Sequence, residues 1–423
     1  YTNKRPSLRL HSMKNFFTKA AVLLSSISAG IFLIGYNIGT GSITTMASAG
    51  SEYGMTLTWA LLLSCVFTYY LIIAFSRYTM VTGRTVLHSF RCEFGAPVTL
   101  FILLSMLVAE LVSSMGLMGV AIEVIVECSR PLTADGEGFN RIAIALLFAA
   151  LLGYLCWQGR QSFFEKILCI FVFLMGVSFV ATMFAVIPSP ETILEGLKPS
   201  IPQHGNAFVI VSSMVGTTMG AILFIVRSIL VRDKGWTIGD MRIQKRDALV
   251  SVAVMFLLSF AIMACAAGAM SGEKIDNAIQ IVRLIEPLAG RIGTAIFAAG
   301  IVAAALSSLF PILLLAPWLL SDYRGKPCDM RSRETRLLLF GGLLCSLAVP
   351  IFGGRPVHVM IISQTLAVIA TPLILIFMTI LLNRRRLMGS HRASIPQNVV
   401  YIAVSIFAVA MAAIGIAGIG KLF

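Results

Sequence analysis

The chain has 423 residues, of which 58% are hydrophobic and only 12% charged, and it carries a formal net charge of +14. A soluble domain is nearer about 45–50% apolar and about 25% charged, so this composition excludes a soluble enzyme, and it excludes disorder, which needs low hydrophobicity. What remains is an all-α polytopic membrane protein, with room for about a dozen spans of about 20 residues each.

Apolar runs between polar punctuation predict eleven transmembrane helices, near 18–50, 55–80, 97–127, 141–157, 163–188, 206–230, 247–271, 292–320, 336–352, 356–383 and 397–420. The first, third and eighth are too long for one straight helix, so tilts or breaks are expected. The first run is read as a span and not as a signal peptide, because it is too long for an h-region and is interrupted in its middle. Between the seventh and eighth runs, residues 272–290 place Ile275, Ala278, Ile279, Val282 and Ile285 at helical spacing among charges. That segment reads as an amphipathic helix on the outer face or as a connecting loop.

Basic residues give the orientation. Of 33 Lys and Arg, 25 lie in the N-terminal segment and in the loops after spans 2, 4, 6, 8 and 10. The positive-inside rule makes that side cytoplasmic, and an odd number of spans places the C-terminus outside. The expected setting is a bacterial inner membrane. The charge therefore answers to the lipid bilayer, and no nucleic acid partner is expected. The eight cysteines are scattered and form no C-x-x-C pair, so neither a zinc site nor a disulfide framework is indicated. No cofactor is expected, nor is any catalytic motif such as G-x-S-x-G, a P-loop or H-E-x-x-H present. An enzyme is not expected, and the oligomeric state stays open.

Two spans carry helix-breaking glycine clusters. Span 1 holds Gly35, Gly39 and Gly41 within seven residues, followed by Ser42, and span 6 holds Gly216-Thr217-Thr218-Met219-Gly220. Glycine costs about 1 kcal/mol per residue inside a helix, which favours unwinding at both places. The breaks fall at matching points of two five-span blocks, residues 18–188 and 206–383, with a segment 1–17 before them and an eleventh helix over 397–423. Paired interrupted helices mark an inverted-repeat (5+5) transporter with its substrate site at the midplane. Close helix packing through small residues is the competing explanation.

The order of further motifs carries a resemblance. Val81-Thr82-Gly83-Arg84 follows span 2, Ala109-Glu110 lies in span 3, and Ser307-Ser308 lies in span 8. Ser363-Gln364, Pro372 and Arg386-Leu387-Met388-Gly389 follow in and after span 10. In this order and spacing, from about residue 29 to 389, the chain resembles the Nramp family of divalent-metal transporters. The resemblance implies a LeuT-type fold and alternating access around broken spans 1 and 6.

The departures from that family are as informative. Where the family has D-P-G-N in span 1, this chain has Gly39, Thr40, Gly41 and Ser42; where it has A-T-V-M-P-H in span 6, it has Thr217, Thr218, Met219, Gly220, Ala221 and Ile222. The family's proton-release acids fall on Leu117 and Val120, its span 8 Gln on Leu306 and its second span 10 Gln on Ala370. On this reading the family's carboxylate, amide, thioether and histidine are gone, so a dehydrated Mn²⁺ or Fe²⁺ is not expected there and no metal site is assigned. Small replacements should widen the pocket by on the order of 200 Å³ against typical pockets of about 300–1,000 Å³.

The expected binding residues are Gly39, Thr40, Gly41, Ser42, Thr217, Thr218, Gly220, Ser307 and Gln364. Arg227 follows Gly220 by seven residues, on the same helix face and about 10 Å away. It would attract anions, or else be a paired or snorkelling residue, with Glu110 or Glu123 as partner. Glu110 and Glu123 are intramembrane acids, which are expensive and usually functional. The preferred solute is accordingly a bulky neutral or anionic one, such as a metal chelate or siderophore. The alternatives are a divalent cation, hydrated Mg²⁺ or Mn²⁺, or a sensor or scaffold that transports nothing.

Overall fold

Within a bilayer every backbone N–H and C=O must be satisfied inside the chain, so long apolar runs fold as helices. The computed structural model describes residues 39–419 apart from 159–160, 187, 204, 271, 273, 276, 278–279, 281, 283–285 and 330. Its principal helices are α1 (Thr40–Tyr53), α2 (Thr58–Thr82), α3 (Val86–Phe94), α4 (Ala96–Ser129), α5 (Arg141–Gln158), α6 (Gln161–Val186), α7 (Ala207–Met219) and α8 (Ala221–Asp233). They continue with α9 (Met241–Ala269), α10 (Glu286–Arg324), α11 (Arg333–Ser346), α12 (Pro356–Ile369), α13 (Thr371–Asn383) and α14 (Ile395–Ile419). Among the described residues eight helical stretches are long and apolar enough to cross a membrane, so the chain is a multi-pass helical membrane protein. From residue 40 onward, helices occupy the expected runs, including α5 and α6, which those eight do not include.

The outer faces are oily. On α14, Val399, Ile402, Ile406, Val409 and Ile416 recur at helical spacing and are exposed, and on α4 Phe101, Leu104 and Val108 are too. In water such a face would be a liability; in lipid it is the solvent-facing side. The span formed by α7 and α8 is instead buried along its whole apolar window, so it runs through the middle of the bundle. Around it pack α1, α2, α12 and α14.

Several expectations need adjusting. The third and eighth spans do not break: α4 runs 34 residues and α10 runs 39, with Pro311 and Pro317 inside it. At about 1.5 Å per residue both exceed a hydrocarbon core of about 30 Å, so they tilt or project. Span 6 does break, but at one residue. Gly220 is extended (φ −61, ψ 138) while Thr217, Thr218 and Met219 remain helical. In span 1, Gly39 is likewise extended (φ −70, ψ 177) just before α1 starts and Gly41 is helical within it; residues 18–38, with Gly35 of the first glycine cluster, lie outside the described residues. A side chain at 220 would come within 2.6 Å of the Gly216 carbonyl oxygen, which explains glycine at the break. In the amphipathic segment 272–290, Ile275 and Val282 are buried, while Ala278, Ile279 and Ile285 lie outside the described residues. The loop after span 2 contains a helix, α3, that the apolar pattern did not announce.

Candidate functional site

Where α7 stops, its last carbonyls lose their intrahelical donors, and a helix C-terminus favours a nearby cation. A cavity opens at this point. It is lined by Gly39, Gly41 and Ser42 at the start of α1, by Gly216, Thr217 and Gly220 at the break, and by Ile222 and Leu223 on α8. The long helix α4 adds Glu110, Ser113 and Leu117, α10 adds Ser308 and Ile312, and α12 adds Met360, Gln364 and Ala367.

Hydroxyl pairs tie α1 to α7 beside this cavity. Ser42 Oγ lies 2.7 Å from Thr217 Oγ1, and Thr45 Oγ1 lies 2.8 Å from Ser213 Oγ. Thr218 turns the other way: its hydroxyl donates to Ser64 Oγ at 2.7 Å, and its carbonyl accepts from Thr68 Oγ1 at 2.9 Å. Thr218 thus fastens the break to α2 and is not a lining residue. Thr40 starts α1, and its side chain lies outside the description. Ser307 donates to the Ala304 carbonyl and its neighbour Ser308 takes the place at the cavity wall. Ser308 is buried, and its Oγ has no hydrogen-bond partner among the described residues.

Glu110 is 8% exposed and borders the cavity. Glu123, thirteen residues further along α4 and about 20 Å away by helix rise, does not line it. Arg227 is fully buried but does not reach the cavity. Its Nη1 lies 2.5 Å from Asp247 Oδ2 on α9, its Nε donates to Ser76 Oγ on α2 at 3.2 Å, and its guanidinium sits 5.4 Å from the Trp236 ring centroid. The expected pairing of Arg227 is found, but with Asp247 in place of Glu110 or Glu123. Its charge is therefore balanced and offers no anion site.

Two further expectations are overturned by packing. The cavity volume is about 30 Å³, roughly one water molecule's share, and far from a pocket widened by on the order of 200 Å³. Removing side chains let the helices approach instead of leaving a void, as close-packed interiors tend to do. A Cβ on Gly216 would lie 1.8 Å from the Gln364 carbonyl oxygen, and one on Gly41 2.7 Å from Gln364 Nε2. On α4, a Cβ on Gly116 would lie 2.6 Å from Met360 Sδ. Glycines on three helices thus admit α12, whose Gln364 and Met360 fill the space.

The site is also not stripped of donors. It holds a carboxylate (Glu110), an amide (Gln364), a thioether (Met360) and the hydroxyls of Ser42, Ser113, Thr217 and Ser308. Sequence reasoning missed Met360 and Ser113. Each had a signal: Met360 precedes Gln364 by four residues and Ser113 follows Glu110 by three, spacings that share a helix face. Among the described residues no three His, Cys, Asp or Glu side chains are grouped to hold a metal ion. Such a site can hold one partly dehydrated cation reversibly, as befits cargo more than a resident ion.

Comparison with known proteins places these features. Residues 30–418 match the family described as natural resistance-associated macrophage protein-like, Nramp. The divalent metal cation transporter MntH of Deinococcus radiodurans is 21% identical over 360 residues, covering 83% of this chain and 80% of that protein. MntH of Klebsiella pneumoniae is 23% identical over 376 residues, 85% of this chain and 86% of that one. Among solved structures, the Eremococcus coleocola manganese transporter superposes with TM-score 0.76 at 13% identity, over 95% of this chain and 88% of that one. MhsT in complex with L-phenylalanine reaches 0.59, also at 13% identity, over 93% and 98%. At these identities the structural likeness is one of fold.

Proposed function

Since the chain belongs to the Nramp family, we propose that it is a secondary membrane transporter of a divalent metal cation, with the cation held between the breaks at Gly39 and Gly220. The observation that carries this reading is a carboxylate, Glu110, bordering an ion-sized cavity whose other polar lining is hydroxyls and an amide, with one thioether. A chelate or siderophore finds no support: the cavity is about 30 Å³, and Arg227 is covered by Asp247. The relatives named as divalent metal cation transporters point the same way.

Glu110 supplies the charge that draws the cation, and Ser42, Thr217, Ser308 and Gln364 replace part of its water shell. The Met360 thioether favours transition-metal ions such as Fe²⁺ or Mn²⁺ over the harder Mg²⁺ and Ca²⁺. A second reading, Mg²⁺ that retains some of its water, is favoured by the excess of oxygen donors and by the single acid. The protein sits in the inner membrane with its N-terminal segment on the cytoplasmic side and its C-terminus outside, as the basic loops imply.

The test is uptake by liposomes containing the purified protein. Mn²⁺ should enter and Glu110→Gln should abolish entry. Competition by Mg²⁺ at equal concentration would identify the second reading. A wild-type protein that moves neither ion would support the scaffold reading and overturn this one.

A further inference from the structure

The bundle holds a second buried acid, Asp247, and its setting assigns it a part in cation binding that rests on the transport reading above. Arg227 lies one helical turn beyond Leu223, a residue of the cavity wall, and about 10 Å along α8 from the break at Gly220. Arg227 and Asp247 are both 0% exposed, and their charged atoms lie 2.5 Å apart. Burial of this depth removes water as a screen, so an uncovered guanidinium would act on the cavity through protein. Lys234, just past the end of α8 and half-buried, also acts on Asp247; its ammonium lies 4.9 Å from the Trp236 ring centroid. Lys234 is at the rim, where water and salt screen it.

We propose that Asp247 is a positioning residue for cation transport: it neutralises Arg227, so that a doubly charged ion can occupy the cavity one turn above. Without it, a unit positive charge about 10 Å from a dication, at an effective dielectric of about 20, would weaken binding by on the order of 100-fold. The same pair, with Ser76, joins α2, α8 and α9, so a purely structural role is the alternative to be separated.

Mn²⁺ is the probe, and its dissociation constant is measured on the purified full-length protein. Asp247→Asn, which uncovers the charge on Arg227, should weaken Mn²⁺ binding by 10- to 100-fold as an order of magnitude. The double variant Arg227→Met with Asp247→Leu removes both charges and should return the constant to within about threefold of wild type, as buried pairs often tolerate apolar replacement. Should Asp247→Asn not fold, the swapped pair Arg227→Asp with Asp247→Arg takes its place. It keeps neutrality and should bind Mn²⁺ as well as wild type. Wild-type affinity in Asp247→Asn, or equal weakening in the single and double variants, or weakening in the swapped pair, overturns the inference. If the wild type binds Mn²⁺ and Glu110→Gln abolishes it while Asp247→Asn has no effect, only this inference fails. If the wild type binds none, the transport reading fails and this falls with it.

Discussion

Glu110 and Asp247 are two carboxylates buried in one bundle, and they sit in opposite surroundings. Asp247 lies against a fixed guanidinium, which Ser76 and Trp236 also flank. Glu110 borders an opening lined with hydroxyls, an amide and a thioether. A buried acid matched to a covalently held cation is structural or electrostatic in effect, because its charge is already spent. A buried acid beside a space the size of an ion is where a mobile cation can settle. Intramembrane acids are functional by default, but which kind of function depends on whether the acid borders a cavity or is packed against a fixed cation.

The largest expected effect tests that contrast directly. Glu110→Gln keeps the shape of the side chain and removes the charge, so Mn²⁺ uptake in liposomes should fall at least about 100-fold, the loss of a charge-assisted ligand in low dielectric. The protein should still fold, since Gln can hydrogen-bond where Glu did. Uptake that survives this change would place the cation elsewhere.

Next comes the packing that keeps the cavity small. Gly216→Ala would force a methyl group to within 1.8 Å of the Gln364 carbonyl oxygen, and neither backbone can yield without separating α7 from α12. Overpacking of this kind costs about 1–3 kcal/mol, which should appear as a lower melting temperature in detergent together with reduced uptake. Gly341→Ala on α11 is the control, because nothing lies within 4 Å of the added Cβ; its melting temperature should stay level or rise slightly. Equal behaviour of the two variants would mean that α12 is not held close by Gly216.

This packing is also where the sequence stopped being legible. The helices could be read because each span must be a long apolar run, and the break could be read because glycines cluster at 216 and 220. Short α3 escaped because nine residues with Val86, Leu87, Ser89 and Phe90 on one buried face make too brief a pattern to separate from a loop. Pocket size could not be read at all. Whether a missing side chain leaves a void depends on whether the neighbouring helix has its own reason to approach, and Gly41, Gly116 and Gly216 act jointly to admit Gln364 and Met360. Counting the family's lost ligands position by position therefore missed donors supplied from other positions. Asp247 was read as the boundary of span 7, and only the fold brings it to Arg227.

Met360 offers a finer test of which cation is carried. Met360→Leu keeps the volume and removes the polarizable sulfur. If the thioether touches the ion, Mn²⁺ affinity should fall by about 5- to 10-fold while Mg²⁺, which prefers oxygen, is unchanged. An equal loss for both ions would mean that Met360 acts through the shape of the cavity, and no loss for either would favour the Mg²⁺ reading.

The smallest expected effect concerns Ser308, and its value lies in two signs that oppose each other. Its hydroxyl is buried at the cavity wall with no hydrogen-bond partner among the described residues, an arrangement that costs about 1–3 kcal/mol in a folded protein. Ser308→Ala removes that burden, so the ion-free protein should melt slightly higher. The same change removes one oxygen from the cation's surroundings, so Mn²⁺ affinity should drop by about threefold, on the scale of one neutral hydrogen bond. A group retained for binding at the expense of stability must give this split. A variant that gains stability and keeps its affinity would mean that the hydroxyl does not meet the ion. A variant that loses stability would mean that Ser308 is satisfied in the ion-free protein, and the cavity would then hold one donor fewer than the geometry suggests.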